Sequence, residues 1–506
     1  MSNPLFAKKP VKLLLEEMEG ENRLRRILGP VQLSSLGIGA IIGTGIFVLT
    51  GVAAHDKTGP ALMVSFVVSG LACIFAALCY AEFASMVPVA GSAYTYAYAT
   101  LGELFAWIVG WDLVLEYAVA SAAVAHGWSH YFQDFIGIFG IHLPFALANT
   151  PFDLDPAIGT YGPTGRIIDF PALVITAIVT AILVKGIRES ASFNAFMVAV
   201  KLVVVLMVIG VGVFYIDPRN WHPFAPYGLT GVSFFGKTIF GQTGIGGEPL
   251  GMLAGAATIF FAYIGFDSVS THAEEARNPR RDVPIGIISS LIICTVLYIA
   301  VSAVLTGMVP YDKINIDAPV SNAFAQVGLR WAQFLISLGA LTGITSVLLV
   351  LMLSQPRVML AMARDRLIPP SFFGAIHEKF RTPWKATILT GLFVAVQASL
   401  LPLRILSELV NIGTLLAFVI VCAAVLIMRR TNPELPRPFR APLFPFVPIA
   451  GIAICLLLMF SLPGENWLRL FVWLIIGFAI YFTYGRKHSA LRHMNQAAAS
   501  KVTIKR

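Results

Sequence analysis

Twelve apolar segments, each about as long as a membrane crossing, constrain this chain more than any other feature of its sequence. A helix needs about 20 apolar residues to cross the hydrocarbon core of a bilayer. Only 12% of the 506 residues are charged, which is roughly half the share found in a soluble domain. The sequence therefore predicts an all-α polytopic membrane protein with twelve transmembrane helices. We number the segments 1 to 12, and they lie at about 31–55, 62–86, 104–128, 170–185, 192–216, 252–274, 284–309, 332–354, 386–402, 405–428, 445–462 and 467–485.

The distribution of positive charge predicts the orientation. With both termini in the cytoplasm, 27 of the 36 Lys and Arg residues fall on the cytoplasmic side and 8 on the outer side. Cytoplasmic loops of membrane proteins carry such an excess. We therefore expect a cytoplasmic N-tail at 1–30, a cytoplasmic C-tail at 486–506 and a location in the plasma membrane. The remaining basic residue, Lys201, lies inside segment 5.

Several function classes are excluded by what the sequence lacks. The net charge of +9 is not arranged as a basic helix interleaved with aromatic residues, so no nucleic-acid partner is expected. The tetrapeptide DKTG at 56–59 falls in a short loop, and the glycine-rich stretch 241–251 lacks the Gly-Lys-Ser/Thr of a phosphate-binding loop, so no ATP site is expected. All five cysteines lie in apolar stretches without metal-ligand spacing. We expect no enzyme activity, no cofactor, no metal and no obligate protein partner.

Two segments contain interruptions. Segment 1 holds four glycines in GIGAIIGTGIF (37–47), and segment 6 contains FFAYIGFD (260–267), in which a carboxylate follows the glycine. Each glycine weakens a helix by about 1 kcal/mol relative to alanine, although membrane glycines also serve close helix packing. Because segments 1 and 6 are five apart, a repeated unit of five would be inverted, and paired interruptions then point to a binding site near the midplane. Free amide N–H groups would attract an anion there and free carbonyls a cation, charges that a zwitterionic amino acid combines.

Four stretches carry a resemblance to a known family. They are GIGAIIGTGIF in segment 1, GWDLVLEYAVASAAVAHGWS in segment 3, AGAATIFFAYIGFDSVSTHAEEARNPRRDVPIGI from segment 6, and QPRVMLAMARDRLIP after segment 8. Together they resemble the amino acid–polyamine–organocation superfamily and, within it, the cationic amino acid transporters of the bacterial type with twelve spans. The resemblance implies a five-plus-five inverted-repeat core of the LeuT-like kind, with broken helices 1 and 6. The first repeat would cover 31–216 and the second 252–430, with segments 11 and 12 (445–485) outside the core.

The same resemblance implies a substrate site on the main chain. Backbone groups of segment 1 would bind the substrate carboxylate, and carbonyls of segment 6 would bind its ammonium. The residues of segment 1 are Ile42, Gly43, Thr44 and Gly45. Those of segment 6 are Phe261, Ala262 and Ile264.

Lys201 places a charged side chain inside an apolar segment. Insertion scales put the free-energy cost of a lysine at the centre of a transmembrane helix at about 2.5 kcal/mol or more, so a structural or functional role is expected. Segment 5 begins near residues 189–191, so Lys201 lies roughly 16 Å into the span. It could be a structural ammonium bonded to carbonyls. The resemblance favours a proton carrier, since proton-coupled relatives place a lysine of segment 5 beside broken segment 1. Carbonyls of segment 1 and a hydroxyl of segment 8 are the expected partners, the hydroxyl being that of Thr342, Thr345 or Ser346.

Three acids lie inside apolar segments. Glu116 is about twelve residues into segment 3, with Asp112 one turn earlier on the same face. Glu116 could receive a substrate side chain or take part in proton transfer, or it could be a buried carboxyl satisfied by neighbouring hydroxyls. Asp267, which follows the interruption of segment 6, has the same alternatives.

Other polar residues are weaker candidates. Glu274, Glu275 and Arg277 near the cytoplasmic mouth could form a gate or a solvated ion-pair cluster. Ser321, before segment 8, could leave room for a substrate side chain, or it could be an ordinary serine at the start of a helix. His126, near the outer end of segment 3, is more typical of a hydrogen-bonded interfacial histidine than of a metal ligand.

The sequence and the resemblance together predict proton-coupled uptake of L-amino acids, including the cationic ones arginine, lysine and ornithine. The partners would be the amino acid substrate and the lipid bilayer, and the coupling ion would be H⁺. Two alternatives within transport are a symporter for neutral amino acids such as alanine and an amino acid exchanger. An alternative from another class is a transporter-like amino acid sensor, which longer signalling tails would have favoured.

Overall fold

The structure is a computed structural model that describes residues 4–10, 13, 28–87, 92–155, 160–186, 191–234, 237–245 and 247–494. It describes only the backbone at 4, 154–155, 160, 191–195 and 274. Most of the predicted N-tail (1–30) and the end of the predicted C-tail (495–506) lie outside the described residues. The twelve apolar segments all lie largely within them.

A helix lies at the position of every predicted apolar segment. The helices of segments 1 to 6 are Pro30–Ile41 with Gly45–Leu49, Thr50–Ala53 and Ala54–Thr58; Leu62–Met86; Glu103–Gly137; Phe170–Lys185; Ala191–Gly212; and Met252–Ile259 with Phe260–Tyr263 and Ser268–Thr271. Those of segments 7 to 12 are Pro279–Met308, Arg330–Arg364, Trp384–Leu400, Leu403–Thr431, Phe446–Phe460 and Gly464–Ile480.

Eight helical stretches of the described chain are long and apolar enough to cross a membrane, as judged by length and composition. Four shorter apolar helices, at 10–17 residues, fall below that length. They are the first half of segment 1 and the helices of segments 4, 9 and 11. The eight long stretches are Gly45–Met86, Glu103–Gly137, Phe196–Tyr215, Met252–Thr271, Pro279–Met308, Arg330–Arg364, Leu403–Thr431 and Gly464–Met494.

The connections hold the remaining elements. Three short antiparallel strand pairs join Phe152–Asp155 to Thr160–Pro163, Val232–Phe234 to Lys237–Phe240, and Gln242–Thr243 to Pro249–Leu250. The all-α prediction therefore applies to the apolar segments, while the loops add small hairpins. The short helices are Pro4–Phe6, Gly59–Ala61, Ser92–Thr100, Phe145–Leu147, Val213–Tyr215, Pro218–Trp221, Ala273–Glu275, Tyr311–Lys313, Pro319–Gln326, Pro370–Phe373, Tyr481–Gly485 and Arg486–His488.

Segments 3 and 8 are longer than hydropathy predicts. Each forms a helix of 35 residues, Glu103–Gly137 and Arg330–Arg364. Both helices continue beyond their apolar stretch into polar residues, which lower the mean hydropathy and so fall outside the predicted segments. The polar ends of these two helices carry several of the side chains discussed below.

Segments 3 and 6 lie at the centre of the molecule. Of their most apolar 18-residue windows, 83% and 89% are buried inside the protein, compared with 22% for segment 12. Segment 3 packs most extensively on segment 8, and segment 7 packs on segments 1 and 2. Because segment 6 is short, interrupted and almost wholly enclosed, the polar groups of its main chain must find partners inside the protein.

Candidate functional site

Segment 1 is interrupted at its middle. Its first helix, Pro30–Ile41, ends at Ile42, whose backbone is extended (φ −73°, ψ 102°). A helical conformation resumes with Gly45–Leu49. The first N–H groups of a resumed helix have no partners within that helix. The interruption therefore consists of the residues that the resemblance assigned to the substrate carboxylate, which are Ile42, Gly43, Thr44 and Gly45.

Segment 6 is interrupted at a matching position. Its helix tightens into a 3₁₀ turn at Phe260–Tyr263, and Ile264 is then extended (φ −60°, ψ 135°). Gly265 has φ +113°, a conformation that favours glycine. The last helical turn of the segment, Ser268–Thr271, follows. Both interruptions thus occur where the glycines predicted them.

The two interruptions pack directly against each other. A Cβ atom added at Gly265 would lie 2.9 Å from the carbonyl oxygen of Ala40 and 3.0 Å from its Cβ. A Cβ atom added at Gly45 would overlap the backbone of Ala262. The glycines are therefore needed both for the unusual backbone conformation at Gly265 and for close approach of the two main chains.

Tyr298 of segment 7 joins the two interruptions. Its hydroxyl donates to the carbonyl oxygen of Ile41 at 2.8 Å and to that of Ala262 at 2.9 Å. Both carbonyls belong to residues next to or within an interruption, where the regular helical bonds are missing. The side chain is fully buried. No sequence pattern indicates this role, because a tyrosine within an apolar helix usually belongs to ordinary core packing.

Lys201 lies on the main chain of segment 1, as the sequence predicted. Its Nζ donates to the carbonyl oxygen of Gly39 at 2.6 Å and to that of Ile42 at 3.0 Å. The side chain is fully buried, and Gly343 of segment 8 leaves room for its methylene groups. The predicted hydroxyl partners are not among its described bonds. Thr342, Thr345 and Ser346 instead donate to carbonyls of their own helix.

The surroundings of the segment 1 interruption are mostly apolar. Val347 of segment 8 lies over Gly43, with its Cγ2 atom 2.7 Å from the position of an added Cβ. The hydroxyl of Thr44 donates to the carbonyl of Val124 in segment 3 at 3.4 Å. The main chain therefore supplies the polar groups here, and segment 8 supplies an apolar wall.

The carbonyls proposed for the substrate ammonium are partly used within the protein. That of Phe261 accepts from the N–H of Ile264 at 3.1 Å, and that of Ala262 accepts from Tyr298. No bond to the Ile264 carbonyl is found among the described residues. Each carbonyl has two lone pairs, so all three retain some capacity, and Ile264 has the most.

The three acids form a buried cluster beside the segment 6 interruption. Asp267 accepts a hydrogen bond from the hydroxyl of Tyr117 at 2.5 Å. Within the described part of the chain, one carboxylate oxygen of Glu116 and both of Asp112 have no hydrogen-bond partner. Asp112 packs closely on Gly413 of segment 10. Buried polar groups are nearly always hydrogen-bonded, so these oxygens mark a place where a proton, water or ligand is needed.

The predicted gate residues lie at the N-terminal end of segment 1. The carbonyl of Glu275 accepts from the N–H of Leu28 at 3.0 Å, and the N–H of Arg277 donates to the carbonyl of Leu28 at 2.8 Å. The carboxylate of Glu275 lies 3.7 Å from the guanidinium of Arg357 in segment 8. The side chain of Glu274 lies outside the described residues. Main-chain pairing, which the sequence did not predict, thus connects the chain after segment 6 to the start of segment 1.

A second charged network lies at the opposite end of segment 1. The ammonium of Lys57 donates to Glu408 of segment 10 and to Thr258 of segment 6, each at 3.1 Å. Arg404, one turn before Glu408, forms an ion pair with Asp56. The sequence indicated only a short loop at 56–59. Two opposite charges one turn apart at the start of apolar segment 10 were the available signal.

Ser321 is tied to the beginning of its own helix. Its hydroxyl donates to the carboxylate of Asp134 at 2.8 Å and to the carbonyl of Ala318 at 3.2 Å. Ser337 of segment 8 donates to the same carboxylate oxygen at 2.6 Å. These contacts favour the helix-start alternative for Ser321. Its helix, Pro319–Gln326, packs against Gly45–Leu49 of segment 1.

Both interruptions are closed off from solvent. Among the proposed substrate residues, Phe261 and Ile264 are 5% exposed, while Ile42, Thr44 and Ala262 are exposed by 1% or less. The Glu275–Arg357 pair lies beyond one side of the interruptions, and the network of Lys57 and Glu408 lies beyond the other. The polar main-chain groups of both interruptions are therefore enclosed by protein.

Comparison with known proteins identifies the family of the chain. The family model described as "Amino acid permease" matches residues 28–483. The branched-chain amino acid permease BcaP of Bacillus subtilis (strain 168) is 47% identical over 492 residues, which cover 97% of this chain and 100% of that protein. The methylthioribose transporter of the same organism is 46% identical over 487 residues, covering 96% and 99%.

A more distant relative carries the name that the sequence resemblance suggested. The vacuolar cationic amino acid transporter 4 of Arabidopsis thaliana is 40% identical over 439 residues, covering 85% of this chain and 68% of that protein. These relatives are transporters or permeases, not enzymes. The chain is therefore a multi-pass membrane protein that belongs to the amino acid permease family of the amino acid–polyamine–organocation superfamily.

Proposed function

We propose that this chain is a secondary transporter that takes up L-amino acids together with protons across the plasma membrane. It has twelve membrane crossings, a five-plus-five inverted-repeat core at 31–216 and 252–430, and cytoplasmic termini. The observation that carries the proposal is the buried ammonium of Lys201, which donates to the carbonyls of Gly39 and Ile42 at the segment 1 interruption.

The substrate binds through its own backbone. Its carboxylate accepts from the N–H groups at Gly43, Thr44 and Gly45, where the resumed helix of segment 1 presents a positive dipole end. Its ammonium donates to the carbonyl of Ile264. Because the two interruptions are in contact, one small zwitterion can reach both. Every L-α-amino acid has these two charges, so the main chain supplies affinity and the surrounding side chains supply selectivity.

Lys201 couples the proton to this site. In its charged form it holds two carbonyls that no longer belong to a regular helix, and so it keeps the segment 1 interruption in a fixed geometry. Loss of the proton removes the charge assistance from both bonds and loosens that geometry. These two carbonyls are ligands that a cation from solution would also bind. The ammonium of Lys201 occupies them instead, and its charge is titratable.

We propose amino acids with branched apolar side chains as the first substrate class. Val347 presents an apolar wall at Gly43, and BcaP, a branched-chain amino acid permease, is 47% identical over nearly the whole chain. Cationic amino acids are the second class. The unpaired carboxylate oxygens of Asp112 and Glu116 favour them, as does the 40% identity to a cationic amino acid transporter.

A competition experiment separates these classes. Uptake of radiolabelled L-leucine into proteoliposomes would be competed by isoleucine, valine, arginine, lysine, alanine and methylthioribose. We expect isoleucine and valine to compete best. Stronger competition by arginine would show that cationic amino acids are the preferred substrates. Competition by methylthioribose alone would contradict an amino acid site, because that molecule lacks the carboxylate and the ammonium on which the site depends.

Two substitutions test Lys201. Lys201→Arg keeps a permanent positive charge, since arginine is not deprotonated in proteins, and Lys201→Ala removes the charge. If Lys201 is the proton carrier, both variants still bind substrate, Lys201→Ala less tightly because the interruption is loosened, and both lose acceleration of uptake by a proton gradient. Lys185→Ala, on the exposed end of segment 4, is the control. If Lys201→Arg responds to the gradient as the unsubstituted protein does, the lysine is a structural ammonium and Glu116 becomes the next candidate.

A further inference from the structure

Three metal-ligating side chains meet outside the substrate site. His126 and His130 lie four residues apart on segment 3, with ring centroids 4.5 Å apart. Asp169 immediately precedes the helix of segment 4 and serves as its N-cap. One ligand atom from each residue lies within 4.8 Å of those of the other two. The sequence predicted no metal, because the carboxylate is 39 positions from the nearer histidine and only folding brings it there.

The hydrogen bonding of these residues is incomplete. His126 Nδ1 lies 2.9 Å from Asp169 Oδ2, yet the two atoms do not form a well-directed hydrogen bond. Neither ring nitrogen of His130 forms one within the described part of the chain. The side chains of His126 and Asp169 are exposed by only 3% and 0%. His126 and Asp169 thus form a buried ion pair with imperfect hydrogen-bond geometry, and a divalent cation would give their nitrogen and oxygen atoms better-directed bonds.

The remaining oxygen of Asp169 is already engaged. Asp169 Oδ1 accepts from the hydroxyl of Ser129 at 2.6 Å and from the N–H of Ala172 at 3.1 Å. These two bonds orient the carboxylate and leave Oδ2 directed at the histidines. Such outer partners hold metal ligands in place in known sites. Asp317, 3.4 Å from His130 Nδ1 and 60% exposed, lies on the solvent side of the cluster.

We propose that His126, His130 and Asp169 bind one divalent first-row transition-metal ion, with zinc as the first probe. Two histidines four apart on a helix with one carboxylate form a set that zinc accepts, leaving a fourth position for water. In a tetrahedral site, two ligands at about 2.1 Å from the ion lie about 3.4 Å apart. The observed limit of 4.8 Å therefore requires the most widely separated ligand atoms to approach each other by up to about 1.4 Å.

The ion would join segment 3 to the start of segment 4. In the predicted topology this junction faces the outside of the cell, and the exposed carboxylate of Asp317 lies next to His130 on that side. None of the three ligands belongs to either interruption, and the ion would stabilise the fold. Its presence can therefore be measured without any transport assay.

Metal content is the direct test. The full chain is purified in detergent, stripped with a chelator, incubated with zinc chloride and desalted, and zinc per chain is then measured by mass spectrometry. We expect one zinc per chain and a rise in the thermal unfolding temperature. In Asp169→Asn the amide oxygen can still accept from Ala172, so the N-cap survives while the anionic ligand is lost. His130→Gln removes a second ligand, and His142→Ala in an exposed loop is the matched control.

The outcomes separate clearly. Loss of an outer partner alone weakens metal binding by about 10- to 100-fold, so Asp169→Asn and His130→Gln should each lose at least that much affinity for zinc. His142→Ala should keep full zinc content and the full thermal shift. Cobalt in place of zinc should give visible ligand-field absorption in the unsubstituted protein and in the control only. Zinc content far below one per chain in the unsubstituted protein, or equal content in all four proteins, would overturn the proposal.

Discussion

Tyr298→Phe removes one hydroxyl group from the junction between the two interruptions and leaves the ring in place. That hydroxyl donates to the carbonyls of Ile41 and Ala262, and the ring packs against Phe66 and Tyr263. The substitution should therefore keep the packing of segment 7 while releasing two carbonyls that have lost their regular helical partners. We expect weaker substrate binding with little change in expression.

The expected loss of binding free energy follows from the single hydrogen atom of the hydroxyl group. A hydroxyl has one proton, so its loss costs one well-made bond even though two acceptors share it. A buried acceptor left without a partner costs about 1–3 kcal/mol. Before substrate binds, the freed carbonyls can turn towards water whenever one end of the site opens. In the closed, substrate-bound protein they cannot, so the cost falls on binding, and about 1–3 kcal/mol corresponds to a roughly 5- to 150-fold rise in Kd.

Equilibrium binding of radiolabelled L-leucine to the purified protein measures this effect. Tyr263→Phe is the matched control, because the hydroxyl of Tyr263 is equally buried and donates to a single carbonyl, that of Phe66 at 2.9 Å. Phe66 lies inside the regular helix of segment 2, which supplies its carbonyl with another partner. We expect the control to change Kd by less than about threefold. Equal Kd values for the two variants would refute the role assigned to Tyr298.

Two further predictions concern stability and are checked by thermal unfolding. Gly265→Ala should destabilise the protein by at least about 1–3 kcal/mol, since φ is +113° and the Ala40 carbonyl would lie 2.9 Å from the new Cβ atom. The control Gly210→Ala, in open space on segment 5, should be neutral or slightly stabilising. Equal losses of stability in the two variants would contradict this reasoning. Lys57→Met should cost about 3–5 kcal/mol, because Glu408 would stay buried without its ion-pair partner, although Asn466 still donates to it. The double variant Lys57→Met, Glu408→Met should recover much of that loss, and a double variant less stable than the single one would show that the pair itself holds the structure.

Much of the fold follows from short-range patterns. Hydropathy alone places all twelve helical segments, because apolar residues must face lipid or one another. The glycine clusters locate both interruptions, since Gly265 needs a backbone conformation that other residues avoid. The resemblance to amino acid permeases is confirmed by the family match over residues 28–483. The number of membrane crossings stays a prediction, because four of the helices are shorter than a bilayer is thick.

The contacts that sequence analysis did not predict join residues far apart along the chain. Lys57 and Glu408 are 351 positions apart, and Tyr298 reaches two carbonyls that belong to different segments. Arg404 and Glu408, one turn apart, were a local signal for the charged network, but neither Lys57 nor Tyr298 has a local pattern that distinguishes it from a loop lysine or a core tyrosine. Lys201 was found because a lone charge in an apolar segment is conspicuous by itself. Pairing with distant main chain, in contrast, becomes visible only in three dimensions.

The most direct measurement of the central claim is uptake under separately imposed ion gradients. Proteoliposomes containing the purified chain are given an inward proton gradient, an inward sodium gradient or neither, and the uptake of L-leucine is followed. We predict that the proton gradient accelerates uptake and drives accumulation above the external concentration, while the sodium gradient has no effect, because Lys201 occupies the carbonyls that a sodium ion would need. Accumulation driven by sodium, with no response to the proton gradient, would contradict the claim.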